Sequence, residues 1–119
     1  MAEYYMHELH RFLGELAVNN NREWFAANRQ RYDCLRQSWL DDVDRLIAAM
    51  AQWEPAVAGF TARDVTYRIY RDTRFSPDKS PFKTYFSSAP GPYGRHSARA
   101  GYYIETGTDG RSGLYGGLW

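Results

Sequence analysis

The sequence has almost no cysteine and no long apolar run. Its 119 residues include one cysteine, Cys34, which excludes an internal disulfide bond and indicates a reducing, cytoplasmic environment. Because Cys34 stands within a helical pattern and has no histidine beside it, we expect a buried thiol without a catalytic role. No segment approaches the roughly 18 consecutive apolar residues of a membrane span, so we expect no membrane partner.

The chain also has a low net charge and few lysines. The formal charge is +1, whereas a protein that coats a polyanion is normally far more basic. The charge is unevenly divided, because residues 1–60 carry more acids than bases and residues 61–119 carry more bases than acids. The only two lysines, Lys79 and Lys83, lie close together in the basic half. The length predicts one domain, residues 1–119.

The acidic half has helical periodicity. Apolar residues at i, i+3, i+4 and i+7 predict a helix from about Tyr5 to Ala17. Its predicted buried stripe consists of Leu9, Phe12, Leu13 and Leu16. The asparagine run 19–21 ends this helix, and we expect Asn20 to cap the next one, with Glu23 completing a capping box. A long helical stretch then continues to about Gln52, as one helix or as two with a kink, and Pro55 ends it.

The basic half changes to a period of two, which is typical of half-buried strands. Alternation predicts a first strand over residues 64–71, and further strands follow the turn signals. These are Lys83 to Ser88, Ala98 to Thr106 and a last strand from Arg111, after a hairpin loop at residues 107–110. We therefore predict an α+β fold, with N-terminal helices packed on a mostly antiparallel β-sheet of three to five strands. Because Trp119 stands within an apolar strand pattern, we expect a truncated domain.

The densest charge in the chain lies at residues 68–83, which we call the signature cluster. Arginine binds phosphate or carboxylate through two parallel hydrogen bonds, and lysine adds a mobile positive charge. The predicted anion-binding residues are Arg68, Arg71, Arg74, Lys79 and Lys83. Asp72 and Asp78 are the candidate catalytic residues, either as a proton acceptor or as groups that orient the cations. The alternative is an ion-pair network that only holds a loop against the sheet.

The leading functional hypothesis is an anion-recognising cytoplasmic protein whose partner is a phosphorylated or carboxylated small molecule. Whether it is an enzyme, and its oligomeric state, stay open. A second hypothesis is a single-stranded nucleic-acid module, because aromatic and basic residues alternate along the predicted strands. Its stacking residues would be Tyr67, Tyr70, Tyr85 and Tyr103. His7 and His10 lack a third ligand, and the glycines lack nucleotide-loop spacing, so we expect neither a metal nor a cofactor.

The signature cluster also carries a family resemblance. The run RxxRDxRF, followed by an acidic residue, a lysine and an aromatic residue, resembles the signature of DUF2461, a family of bacterial proteins. Phe82 occupies a position where that family commonly has tyrosine. Residues 20–32, 101–103 and 116–119 also resemble the family, so the resemblance covers essentially the whole chain. It implies that the chain is the N-terminal half of a longer family domain, and it implies no particular activity.

Overall fold

The chain folds into helices followed by an antiparallel sheet, and this confirms the α+β prediction. The structure is a computed structural model that describes residues 5–90, 101–107 and 113–117. Its helices are α1 (Met6–Val18), α2 (Arg22–Ala27), α3 (Arg29–Met50), a 3₁₀ helix (Pro55–Gly59) and α4 (Ala62–Val65). Its strands are β1 (Tyr85–Ser88), β2 (Gly101–Gly107) and β3 (Gly113–Gly117). No helix in these ranges is long and apolar enough to cross a membrane.

The asparagine run separates α1 from α2, but the capping residue differs from the prediction. The Asn21 side chain, rather than that of Asn20, accepts a hydrogen bond from the Trp24 N–H at 2.8 Å. With Asn21 as the cap, Glu23 is the second helical residue, one position too early for a capping box. Asn20 is therefore left for a contact outside the helix.

The long helical stretch is broken at Asn28, which confirms the two-helix alternative. The Asn28 side chain donates to the Trp24 carbonyl at 2.9 Å, and α3 begins at the next residue. α3 ends at Met50, close to the predicted end near Gln52, and Pro55 begins the 3₁₀ helix that follows. The expectation of a buried Cys34 was wrong: the thiol is exposed, because the buried stripe of α3 passes through the neighbouring Leu35.

The predicted strand over residues 64–71 was wrong, because residues 64 and 65 are helical and residues 66–71 form no continuous strand. Thr61 and Asp64 form a capping box that starts α4 there. The chain then meets residues 81–89 through two isolated antiparallel bridges, Thr66 with Ser88 and Tyr70 with Phe82. From one bridge to the other, the first segment advances four residues and the second segment advances six. No continuous ladder therefore forms between the two bridges.

The three strands form one antiparallel sheet in the order β1-β2-β3. β1 pairs with β2 so that Tyr85 faces Gly107, where a Cβ atom would lie 2.7 Å from the Tyr85 Cβ and 2.9 Å from the Thr84 carbonyl oxygen. The close approach of the strands therefore requires glycine at position 107. Predicted strand residues 98–100 and most of the predicted hairpin loop lie outside the described residues.

The helices and the sheet share an aromatic core. The predicted stripe of α1 is fully buried, and Phe25 of α2 stacks on Phe82 with ring centroids 4.2 Å apart. The Trp39 Nε1–H of α3 donates to the buried Ser88 hydroxyl at 2.9 Å, and this hydroxyl lies 2.7 Å from that of Thr66. Phe82 and Ser88 thus fix the segment 66–83, which carries the signature cluster, against α2 and α3.

Candidate functional site

The signature cluster surrounds an open cleft of about 830 Å³, which we call the cationic cleft. Four of the five predicted anion-binding residues line it, together with one of the two candidate carboxylates. Its lining consists of Tyr67, Arg68, Tyr70, Arg71, Asp72, Thr73, Arg74 and Lys83. The other two predicted site residues, Lys79 and Asp78, belong to the neighbouring loop and are not part of this lining.

Arg68 and Lys83 form a pair of neighbouring positive charges in the cleft. They lie on facing chain segments, because the Lys83 N–H donates to the Ile69 carbonyl at 2.7 Å. The Lys83 Nζ donates to the Arg68 carbonyl at 2.6 Å. Burial and the nearby Arg68 guanidinium lower the pKa of Lys83 below its usual range. Within the described part of the chain, neither residue forms an ion pair with a carboxylate.

Aromatic rings hold these two cations. The Lys83 Nζ lies 5.6 Å from the centre of the Tyr67 ring and 6.0 Å from that of Tyr85. The Arg68 guanidinium lies 5.7 Å from the centre of the Tyr70 ring. Such contacts orient a cation without neutralising it. Both charges therefore remain available to an anion in the cleft.

Arg71 has a different environment and holds the loop. Its Nη1 donates to the Ser80 carbonyl at 2.9 Å and to the Asp78 carbonyl at 3.3 Å. The same nitrogen lies 3.5 Å from the Asp78 carboxylate. Arg71 thus connects the start of the loop to its end and fixes the cleft wall.

Asp72 and Arg74 form an exposed ion pair at the rim of the cleft. The Arg74 Nε and Nη2 donate to the two carboxylate oxygens of Asp72 at 3.0 and 2.8 Å. The side-chain and backbone hydrogen bonds from Arg74 lower the pKa of Asp72 to about 2. A carboxylate with such a pKa is a weak proton acceptor at neutral pH. This geometry favours Asp72 as a group that orients Arg74.

Asp78 and Lys79 are engaged within the loop. Asp78 accepts hydrogen bonds from the Ser80 N–H at 2.9 Å and the Ser80 hydroxyl at 2.7 Å, and these bonds lower its pKa. The Lys79 Nζ donates to the Thr73 carbonyl at 2.6 Å. Both residues thus stabilise the loop. Some members of the signature cluster are therefore available to an anion, as the first interpretation predicts, and others only hold the loop, as the alternative predicts.

The four predicted stacking tyrosines do not share one environment. Tyr67 contacts Tyr103, with ring centroids 6.3 Å apart, and the Tyr103 hydroxyl donates to the Glu105 carboxylate at 2.5 Å. Tyr70 packs instead against the rings of Phe25 and Phe82. Phe82 is buried, so this aromatic position of the signature serves the core. The tyrosine surface therefore consists of Tyr67, Tyr85 and Tyr103, with the Glu105 carboxylate beside it.

A second cleft, of about 410 Å³, lies between α3 and residues 68–70. Its lining includes Arg29 and Arg36 of α3, which the sequence analysis did not single out. A signal was present, because a spacing of seven residues places two side chains on one helical face. Among the described residues, no group of three or more His, Cys, Asp or Glu side chains could hold a metal ion.

The chain was compared with protein families, curated proteins and solved structures. The family model described as conserved hypothetical protein (DUF2461) matches residues 8–119. No curated protein and no solved structure matches the chain. The family match begins within α1, at its third residue, and includes every later element through β3.

Proposed function

This chain belongs to the DUF2461 family, and we propose that it recognises a phosphorylated or carboxylated small molecule in the cationic cleft. The observation that carries the proposal is the pair Arg68 and Lys83. These are two adjacent cations on one cleft wall, with no carboxylate partner among the described residues. We also propose that the protein is bacterial and cytoplasmic and that its sheet contains three to five strands.

Electrostatics support an anion between these two residues. Beside burial, the Arg68 charge lowers the pKa of Lys83, so the two cations repel each other. A phosphate or carboxylate group would accept hydrogen bonds from the guanidinium and the ammonium and would remove this repulsion. Binding energy would therefore include the relief of an unfavourable contact.

The other members of the signature cluster have supporting roles in this proposal. Arg74 adds a third cation at the rim, and Asp72 holds its guanidinium in a fixed orientation. Arg71, Asp78 and Lys79 maintain the loop that forms the wall.

Calorimetric titration of the full chain with a panel of phosphate and carboxylate metabolites at low salt tests the proposal. We expect Arg68→Gln and Lys83→Gln each to weaken binding by about tenfold or more, with a melting temperature close to that of the wild type. Arg45→Gln is the matched control, since Arg45 is exposed and outside the cleft. If no anion binds, or if both variants bind as the wild type does, the proposal is wrong.

A nucleic-acid partner is the second candidate, and the contact between Tyr67 and Tyr103 favours it. With Lys83 between Tyr67 and Tyr85, this surface combines ring faces with a cation, as single-strand binders do. Titration with oligothymidine at several salt concentrations separates the two candidates. The nucleic-acid candidate requires affinity that falls steeply with salt and is lost in Tyr67→Ala.

A further inference from the structure

The second cleft, which we call the arginine cleft, is not used by the proposed function. It lies between α3 and the extended segment after α4, and it has a volume of about 410 Å³. Its lining consists of Arg29, Tyr32, Asp33, Arg36, Gln37, Leu40, Arg63, Arg68, Ile69 and Tyr70. This lining contains four guanidinium groups and one carboxylate, so positive charge is in excess.

The α3 wall of the arginine cleft is held in place by aromatic residues. Arg29 donates to the Asp33 carboxylate at 3.1 Å and to the Tyr70 hydroxyl at 3.4 Å. Its guanidinium also lies 5.6 Å from the centre of the Tyr32 ring. Arg36 lies near the Tyr32 hydroxyl, where its charge opposes the burial that raises the pKa of Tyr32. The Arg29 guanidinium is thus oriented before any ligand arrives, which lowers the entropic cost of binding an anion.

The two clefts share a wall. Arg68 and Tyr70 line both of them, and the Arg68 guanidinium lies 5.7 Å from the centre of the Tyr70 ring. On the other side, the Tyr70 hydroxyl accepts the hydrogen bond from Arg29. Tyr70 is 43% exposed, so its ring leaves a surface along which a ligand can pass between the clefts.

We infer that the arginine cleft is a second anion subsite and that the ligand carries two anionic groups, one for each cleft, joined by a spacer that passes Tyr70. This inference rests on the proposed function, because it adds a subsite for the same ligand. The class of ligand is a bisphosphate, a dicarboxylate or a phosphorylated carboxylate. A single orthophosphate or a monocarboxylate would fill only one of the two subsites.

The test uses two probes with the same alkyl chain, hexanediol bisphosphate and hexyl phosphate, with the full ¹⁵N-labelled chain. Side-chain ¹⁵N signals report each subsite separately: the Lys83 Nζ signal for the cationic cleft, and the Arg29 and Arg36 Nε signals for the arginine cleft. We expect the bisphosphate to shift all three signals and to bind at least about tenfold more tightly than the monophosphate. Arg36→Gln and Lys83→Gln should each reduce the bisphosphate affinity to that of the monophosphate.

Arg45→Gln is again the control, because it removes an exposed arginine of the same helix that lines neither cleft. A response of Lys83 with silent Arg29 and Arg36 signals overturns the second subsite and leaves the proposed function intact. A response of Arg29 and Arg36 with a silent Lys83 signal overturns the proposed function, and the two-headed ligand with it. Equal affinities for the two probes in the wild type also overturn the inference. Melting curves of each variant confirm that a lost response is not a lost fold.

Discussion

The side-chain amide of Asn20 is hydrogen bonded to both backbone groups of Phe82. Its Nδ2 donates to the Phe82 carbonyl at 2.8 Å, and the Phe82 N–H donates to its Oδ1 at 3.0 Å. The amide thus pairs with Phe82 as a neighbouring strand would. On the other side of Phe82, Tyr70 forms the isolated bridge that closes the signature loop. The two motifs that carry the family resemblance therefore meet at this residue.

We predict that Asn20→Ala destabilises the fold by about 1–3 kcal/mol, because it leaves a buried residue without partners for two backbone groups. Urea denaturation measures the change in the free energy of unfolding. Gln30→Ala removes an exposed amide from α3 and should change stability by less than about 0.5 kcal/mol. Equal effects of the two substitutions would contradict this role of Asn20.

The asparagine run illustrates what the sequence can and cannot predict. Asparagine between two helical patterns predicts a helix stop and a helix start, and both occur. Which asparagine caps the helix depends on Phe82, a residue 62 positions away that competes for Asn20. A contact of that range has no local signal, so the prediction was wrong by one residue.

The segment around α4 shows how a local helix signal can replace part of a predicted strand. Val65 and Ile69, which lie on one face of its alternating pattern, are buried. However, the capping box between Thr61 and Asp64 started a helical turn, because a helix start satisfies backbone donors locally. Pairing then resumed only at Thr66, against Ser88.

That pairing includes a buried hydroxyl network that gives a second prediction. Ser88→Ala should destabilise the protein by about 1–3 kcal/mol, since the Trp39 Nε1–H and the Thr66 hydroxyl both lose a buried partner. The double variant Ser88→Ala with Thr66→Val should cost less than the sum of the two single variants, because both removed groups share one network. Thermal or urea unfolding of the four proteins completes the cycle, and strict additivity would refute the coupling.

A third prediction concerns the rim pair. The pKa of Asp72 is lowered to about 2 by Arg74, so any stabilisation from this pair is present above the ordinary value of 3.8 and lost as the pH falls towards 2. Carboxylate ¹³C signals recorded against pH should give a midpoint for Asp72 near the lowered value. In Arg74→Gln the midpoint should return towards 3.8. An ordinary midpoint in the wild type would show that the pair does not form in solution.

The fourth prediction separates the loop arginine from the rim arginine. Arg71→Lys should lower the melting temperature, because one ammonium cannot replace the bonds from Arg71 to Ser80 and Asp78. Arg74→Lys should leave the melting temperature nearly unchanged, since the Arg74 side chain is 76% exposed. Hydrogen exchange at the Ser80 amide, which bonds to Asp78, should also accelerate only in Arg71→Lys. The reverse order of effects would contradict these roles.

The sequence identified the signature cluster but not the different roles of its residues. Five cations in 16 positions indicate an anion site, yet the pattern gives no sign that Arg71 and Lys79 bind backbone carbonyls of the loop. That outcome depends on how the loop folds between Pro77 and Pro81. The helical spacing of Arg29 and Arg36 was readable, but only the fold brings that face to Arg68.

The last prediction links Lys83 to its ligand. In the free protein its pKa is lowered by burial and by the Arg68 charge, so its ammonium form is disfavoured. A bound phosphate favours the charged form and should raise this pKa towards the ordinary value of 10.5. By linkage, phosphate should bind more weakly as the pH rises through the pKa of Lys83. The Lys83 ¹³Cε signal recorded against pH, with and without inorganic phosphate, measures the shift directly. Arg68→Gln should raise the pKa without phosphate, because it removes one of the two causes of the lowered value. Chloride at the same ionic strength is the control, because it screens surface charge without the several acceptor oxygens of phosphate. A shift of the Lys83 signal with chloride as large as that with phosphate would mean that the anion screens the whole surface, and the cleft would not be the binding site.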